Sequence, residues 1–308
     1  MTTQISAVAD VTVIIPAYRA ANTIGRALVS IAVQTLKPRA VVVVDDGSSD
    51  DTYAVTESYR ERMPGIELVV IRQANAGPGA ARNRALREAN TRYVAFLDAD
   101  DEWKPEKLAR SMTHLMDGDY SLVAHDSVEV DGPHSERLYC ARRFNEASQA
   151  PFVGLYRRGF IDTTTVVADL AVIRSLGGFD ESLPNAQDFD LWLAILADPN
   201  RHFLVFDDVL SIYHRTPGSV MTHIERRRKC CVAIARRYAS ALRAHPGSPL
   251  VSLWFRLLAV HKEAVTAHAR LGDWRAVVMT SAIAPVDFCI ATLGYFVAEP
   301  PAPRASLN

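Results

Sequence analysis

Apolar runs of strand length alternate with segments of helical period through the first hundred residues of the chain. Val11 to Pro16 is a near-continuous apolar run, the pattern of a strand covered on both faces. Ile24, Leu28 and Ile31, at offsets 0, 4 and 7, set one apolar stripe on a helix that follows Asn22. Ala40 to Asp45 reads as a second strand, and the Ser and Asp residues at 48–52 suit a helix N-terminus. A third strand is expected over Glu67 to Ile71, a helix over Gly79 to Ala89, and a fourth strand over Tyr93 to Leu97, running into Asp98. Continuous apolar strands separated by helices mean an α/β fold: a mainly parallel, doubly wound sheet with helices on both faces. Ligands of such sheets sit beyond the carboxyl ends of the strands.

The pattern then loosens. Residues 121–179 are irregular, with strand-like runs at 121–130 and 163–168 that extend the sheet. A helix is expected over Ala186 to Leu196, and one or two short strands over Phe203 to Tyr213. From Val220 the texture turns to long helical segments, which divides the chain into an α/β domain (1–220) and a helical extension (221–308). Trp254 to Leu271 and Asp273 to Ile283 read as a helical hairpin around Gly272, a packing or self-association surface. Ala276 to Ala298 is apolar enough to suggest a membrane span, but Pro285 and Asp287 interrupt it. A charge at that depth costs about 2.5–3.5 kcal/mol, so buried or interfacial helices are expected instead. The N-terminal MTTQISAVAD lacks the basic and apolar regions of a signal peptide, and the Pro-rich tail EPPAPRASLN is expected to be loose.

Composition narrows the class. The 308 residues are 49% apolar and 22% charged, which excludes disordered, collagenous and coiled-coil chains. Lys and Arg number 34 against 35 Asp and Glu, a net charge of -1 that does not announce a nucleic-acid binder. Four cysteines without a CxxC pair suggest neither a disulfide scaffold nor a zinc ribbon and fit the cytoplasm. The neutral sum hides a separation. Acids gather at the strand ends, whereas Arg226, Arg227, Arg228, Lys229, Arg236, Arg237 and Arg243 follow Glu225 with no further acid. With Val232, Ile234, Ala235 and Tyr238 they form a partly amphipathic basic helix, either a solvated face or a peripheral contact with anionic lipid at the inner face of the membrane.

The candidate chemistry lies at the strand ends. Asp98 and Asp100 close an apolar strand, and in extended chain residues two apart project to one side. Two such carboxylates suit Mg2+ or Mn2+, completed by phosphate oxygens and water; the bland alternative is a solvated acidic turn. Asp45 and Asp46 end another strand, where a carboxylate can accept from the N–H of a nucleotide base, and Tyr18 offers an aromatic face for stacking. Gly77-Pro78-Gly79-Ala80-Ala81-Arg82 is not a dinucleotide loop, because Arg82 stands where the third Gly is required. It reads instead as a helix start close to a ligand, with Arg82 supplying fixed charge, or as an ordinary Gly-rich helix N-cap. Asp188 and Asp190 lie about 200° apart on a helix, so only one faces a given site. Trp192, one turn beyond Asp188, either walls that site or packs.

The order and spacing of these motifs resemble the inverting GT-A glycosyltransferases of family 2. An apolar strand ends in PxY, followed by VDDGSSDDT, NxGxxxARNxA, FLDADD, and GGFDE before a carboxylate helix ending in LW; the match runs from Val11 to about Ser219. The resemblance implies a GT-A fold and transfer of a sugar from a nucleotide donor, UDP-linked, to a saccharide or lipid-linked acceptor by metal-assisted single displacement. It implies that Pro16, Tyr18, Asp46, Arg82 and Asp98 contact the nucleotide, that Asp100 with Asp98 holds Mg2+ or Mn2+, and that Asp188 is the catalytic base. Gln187, Trp192, His214 and Arg215 are implied as diphosphate or acceptor contacts. Arg19 departs from the Asn common after the tyrosine in that family, and Gln187 from the Glu common before the base. The alternatives are a non-catalytic nucleotide- or glycan-binding module of the same fold, and a sugar nucleotidyltransferase, which would carry a Gly-rich loop where this chain has PAYRAAN.

Overall fold

The computed structural model describes residues 8–215, 223–297 and 306–307. Its centre is a single mixed sheet. Strands β1 (Val8–Ala17), β2 (Lys37–Asp45), β3 (Glu67–Arg72) and β4 (Tyr93–Phe96) pair in parallel in the order β3-β2-β1-β4. The sheet continues through β8 (Val167–Asp169), β6 (Leu122–Asp131), β9 (Phe203–His214) and the two-residue β5 (Glu102–Trp103), with β7 (His134–Leu138) as a hairpin partner of β6. β8 runs against its neighbours, whereas β6 and β9 are parallel to each other. The carboxyl ends of β1, β2, β3, β4, β6 and β9 therefore share one edge, and the start of β8 joins them there.

Side-chain alternation along the strands builds two cores. Val11, Val13 and Ile15 of β1, with Tyr93 and Ala95 of β4, pack against α1 (Ile24–Ala32) and α4 (Lys107–Asp117) through Ile24, Leu28, Leu108 and Met112. Ile14, Val94 and Phe96 face the opposite way. They meet α3 (Pro78–Glu88), α6 (Pro151–Arg158) and α8 (Gln187–Leu196). The shorter helices α2 (Thr52–Glu57), α5 (Cys140–Glu146) and α7 (Leu170–Ser175) fill the connections. Helices on both faces, as the patterning requires, leave the strand ends as the open surface.

The C-terminal helices are α9 (Ile224–Arg237), α10 (Pro249–Arg270) and α11 (Trp274–Val297). They do not stand apart: Cys231, Ile234, Leu253 and Leu257 belong to the same apolar core as Phe152, Phe189 and Trp192. The basic helix is partly spent inward. Arg237 bonds Asp180 (2.8 Å) and the fully buried Asp190 (2.7 Å), and Arg228, 4% exposed, bonds Asp287 of α11 at 2.7 Å. Asp190 thus turns away from Asp188, as their spacing requires.

Three elements differ from the sequence pattern. The 163–168 run is a strand only over Val167–Asp169, because Thr163–Thr165 forms a 3-10 turn. The Thr165 hydroxyl and backbone N–H both donate to the carbonyl of Asp162, a local bond that outcompetes the sheet ladder. Phe203 to His214 is one twelve-residue strand, held along its length by β6. Helix α11 passes unbroken through Pro285, which lies on its exposed side, while packing on α10 secures the other. It is therefore one helix, long and apolar enough by length and composition to cross a membrane, with 11% of its apolar window buried. Of the two alternatives expected there, buried or interfacial helices, the structure contradicts burial, because the helix is mostly exposed. Of the tail expected to be loose, Ser306 and Leu307 are described, and Leu307 donates its N–H to the Arg174 carbonyl at 2.9 Å.

Candidate active site

The residues singled out in the sequence gather at the shared edge. Tyr18 follows β1 and is 48% exposed, with the Arg19 guanidinium 5.2 Å from its ring centre. Arg19 has φ 51°, a left-handed conformation that Asn or Gly adopts at less cost. The turn is fixed from the next strand end: Ser48 accepts the Arg19 N–H (2.9 Å) and Thr52 that of Ala20 (2.8 Å). Pro16 pairs with Val44 of β2 just inside this edge.

Asp46 is buried, and its carboxylate ties down the loop before α3. Oδ1 accepts from Gln73 Nε2 (2.8 Å) and the Ala76 N–H (2.9 Å), and Oδ2 accepts from the Gly77 N–H (2.8 Å). Three protein donors leave about one of four lone-pair positions for a ligand. Gly47 at φ 74° permits the approach, since a Cβ there would lie 2.8 Å from the Asn75 backbone N.

Arg82, buried on α3, donates from Nη2 to Asp98 Oδ1 at 2.6 Å. Beside it Asn83 clasps the GGFDE segment. Its Oδ1 accepts the Phe179 N–H and its Nδ2 donates to the Phe179 carbonyl, each at 2.8 Å. The same Nδ2 donates to Glu181 Oε1 at 2.8 Å. This clasp sets where the chain enters α8, and hence where Asp188 sits.

The acidic motif is a turn, not extended chain. β4 ends at Phe96, and the Asp101 N–H donates to the Asp98 carbonyl at 3.1 Å. Chain reversal, not strand alternation, gathers these carboxylates. Asp98 and Asp100 are half-buried at the surface of the turn, and Asp101 is fully buried beneath them. The Asp101 oxygens accept the His214 N–H (3.0 Å) and the Thr164 hydroxyl (3.1 Å). Its carboxyl is held well above the ordinary range by burial and by the charges of Asp98, Asp100 and Asp162. Asp162, which accepts from Ser127 at 3.1 Å, is pushed up to about 6 by burial and then by Asp98 and Asp188.

Asp188 opens α8 opposite this turn. Its Oδ2 accepts the Thr163 hydroxyl at 2.6 Å and its Oδ1 the Phe189 N–H at 2.7 Å. The adjacent residues Thr163 and Thr164 thus bind the two acidic groups, Asp188 on one side and Asp101 on the other. Gln187 is buried, with Gly79 of the first turn of α3 nearby. Trp192 corrects the sequence expectation. It is fully buried edge-on to Phe96 and Phe179 (centroids 5.6 and 6.3 Å), so it supports the floor of the site and offers no acceptor surface. His214 Nε2 bonds Glu102 at 2.9 Å beside the acidic turn, and Arg215 pairs with Glu129 and Asp131. Residues 216–219, which follow Arg215, and the domain boundary expected near 220 lie outside the described residues.

Among the described residues no three His, Cys, Asp or Glu side chains form a ready cation cage. The donor set nevertheless fits Mg2+ or Mn2+, which takes one or two carboxylates and completes its shell with phosphate oxygens and water. Asp98 and Asp100 could supply those two; further acids crowd them, with Arg82 as a bonded counter-charge.

Residues 12–175 match the model of glycosyl transferase family 2. The chain is 32% identical over 253 residues to the succinoglycan biosynthesis protein ExoO of Rhizobium meliloti, covering 76% of this chain and 70% of that protein. It is 29% identical to the UDP-Glc:alpha-D-GlcNAc-diphosphoundecaprenol beta-1,3-glucosyltransferase WfgD of Escherichia coli, covering 69% of this chain and 80% of that one. In fold it is similar to the mannosyltransferase PcManGT of Pyrobaculum calidifontis, solved with GDP-Man and Mn2+. That likeness has a TM-score of 0.62 at 23% identity and covers 94% of this chain and 85% of that one. The fold is that of the GT-A glycosyltransferases.

Proposed function

Since the chain belongs to glycosyl transferase family 2 and is a glycosyltransferase, we propose that it moves a sugar from a UDP-linked donor to a hydroxyl of a saccharide or lipid-linked acceptor. The reaction is one displacement that inverts the anomeric carbon. The observation that carries this reading is the Thr163-Thr164 bridge, which joins the Asp188 carboxylate to the acidic turn after β4. Single displacement needs a base on one face of the sugar and charge stabilisation at the leaving group on the other, and no enzyme nucleophile.

The donor base stacks on Tyr18 beside Pro16, with its edge at Asp46, and Arg82 and Asp98 form the paired charges next to the ribose and phosphates. Asp98 and Asp100 would hold Mg2+ or Mn2+, which would supply Lewis-acid stabilisation of the departing diphosphate. Asp188 Oδ2 takes the proton of the acceptor hydroxyl while the hydroxyl oxygen attacks C1 and the bond from C1 to the diphosphate breaks, releasing UDP. Thr163 keeps the carboxylate aimed. Gln187 and His214 border the acceptor and diphosphate sides. The UDP donor and lipid-diphosphate acceptor named for WfgD support this choice of substrates, the Mn2+ held by PcManGT supports a divalent ion, and four free cysteines support work in the cytoplasm.

The test is release of UDP from a panel of UDP-sugars with Mn2+ and saccharide or lipid-diphosphate acceptors. Asp188→Asn is expected to lose at least about 100-fold in turnover while the donor still raises its Tm as in the parent. Unchanged turnover would sink the base assignment. Donor stabilisation without UDP release from the parent protein would favour a binding module.

A further inference from the structure

Of the 24 residues of α11, only Thr280 and Ala291 are buried. The helix has one inward stripe against α9 and α10, and the opposite half of its circumference is apolar. Val278, Met279, Ile283, Ile290, Leu293 and Phe296 all lie on that outer arc, Val278 and Leu293 at 68% exposure. Exposed Trp254, Phe255 and Leu258 on the first half of α10 continue the patch, joined to it where Trp254 Nε1 donates to Thr292 at 2.9 Å. From Ala276 to Val297 the one charge is Asp287, and it points inward to Arg228 (2.7 Å) and His261 (3.1 Å).

We propose that this face docks the protein in the plane of an anionic lipid bilayer, with the outer arc of α11 lying in the headgroup–acyl boundary. The inference stands apart from the catalytic assignment. Charge selects the occupant. Residues 223–297 hold eleven Lys and Arg against four Asp and Glu, +7 in a chain whose net charge is -1, which leaves -8 elsewhere. Several exposed bases border the apolar arc. Arg275 lies on the arc itself, Lys262 and Arg270 extend along α10, and Arg243 donates to the Tyr295 carbonyl at the far end of α11. Two copies meeting through this face would bring these like charges together, whereas an anionic headgroup layer attracts each of them. A transverse orientation is disfavoured, because the inner stripe is committed to α9 and α10 and carries the buried Arg228 pair, which hydrocarbon would strand. An apolar arc edged by bases and by Trp254 and Trp274 is the pattern of an interfacial helix.

The full chain is to be sedimented with vesicles of phosphatidylcholine containing about one-third phosphatidylglycerol. Partition is expected to be at least about ten-fold stronger than onto phosphatidylcholine alone, and to fall in high salt. Lipids brominated in their acyl chains should quench the emission of exposed Trp254 and Trp274 but not that of buried Trp103 and Trp192, so a W254F/W274F variant should lose the quenching. Ile283→Glu with Leu293→Glu should weaken partition at least about ten-fold without lowering the Tm, both sites being exposed. Absence of partition by the parent protein overturns the proposal. So does partition without tryptophan quenching, or a solution dimer that the double Glu variant dissolves while vesicle binding is absent.

Discussion

Thr163→Val isolates what the hydroxyl does for the base. Valine keeps the volume and branching of threonine, so the buried 3-10 turn and its packing persist, and only the bond to Asp188 Oδ2 is lost. At 2.6 Å onto a carboxylate this is a charge-assisted bond, worth about 1.5–3 kcal/mol. The Phe189 N–H on Oδ1, the other hydrogen bond to this carboxylate among the described residues, fixes one oxygen but not the plane of the carboxylate, so the base samples directions that miss the acceptor hydroxyl. Converted at about 1.4 kcal/mol per decade, the loss predicts a 10- to 100-fold fall in kcat. Thr163 is not among the residues proposed to bind the donor, so the donor KM and the Mn2+-dependent Tm rise should stay within about two-fold of the parent. Thr163→Ser, which restores a hydroxyl, should recover most of the rate. Steady-state UDP release and calorimetric donor titration read the two quantities separately. A valine variant with parental kcat, or one whose donor binding falls as much as its rate, refutes the positioning argument.

Two further outcomes follow from the same geometry. The Asp162 carboxyl is pushed up to about 6 from an ordinary 3.8, so it favours folding fully below pH 3.8, and that contribution is lost as pH rises through 6. The difference amounts to no more than about 3 kcal/mol. Asp162→Asn in EDTA should therefore be more stable than the parent at pH 7.5 and nearly equal to it at pH 4, by urea denaturation; an equal gain at both pH values contradicts this. Gly178 has φ 69°, and a Cβ there would press on Asn83 Oδ1, which cannot swing away without giving up its bond to the Phe179 N–H. Gly178→Ala should cost about 2 kcal/mol or more and lower kcat by shifting the entry to α8, and parental stability would show that the clasp is pliable.

Local signals account for much of the architecture. β1 to β4 and the helices between them are legible because each is a contiguous apolar run or a 3.6-residue stripe, and Asp188 and Asp190 diverge as helical geometry demands. Thr163-Thr164 was hidden because a hydroxyl triplet before an apolar run looks like the start of a strand; the signal available was Asp162 with three threonines, a turn-forming set. Asp101 was hidden behind the more familiar pair before it, although the motif carried a third acid.

What the sequence determined by itself was therefore the order of strands and helices, the edge at which the acids would emerge, and the separation of negative strand ends from a positive helical end. The tertiary structure alone decided how those acids are held. Thr163 and Asp188 are 25 residues apart, Thr164 and Asp101 63, and Asn83 and Phe179 96. It also turned Trp192 into floor, Arg228 and Asp287 into an internal pair, and the other side of α11 into an uncovered apolar face. Periodicity reports which side of an element is apolar; which distant element comes to meet it is set by the packing of the whole chain.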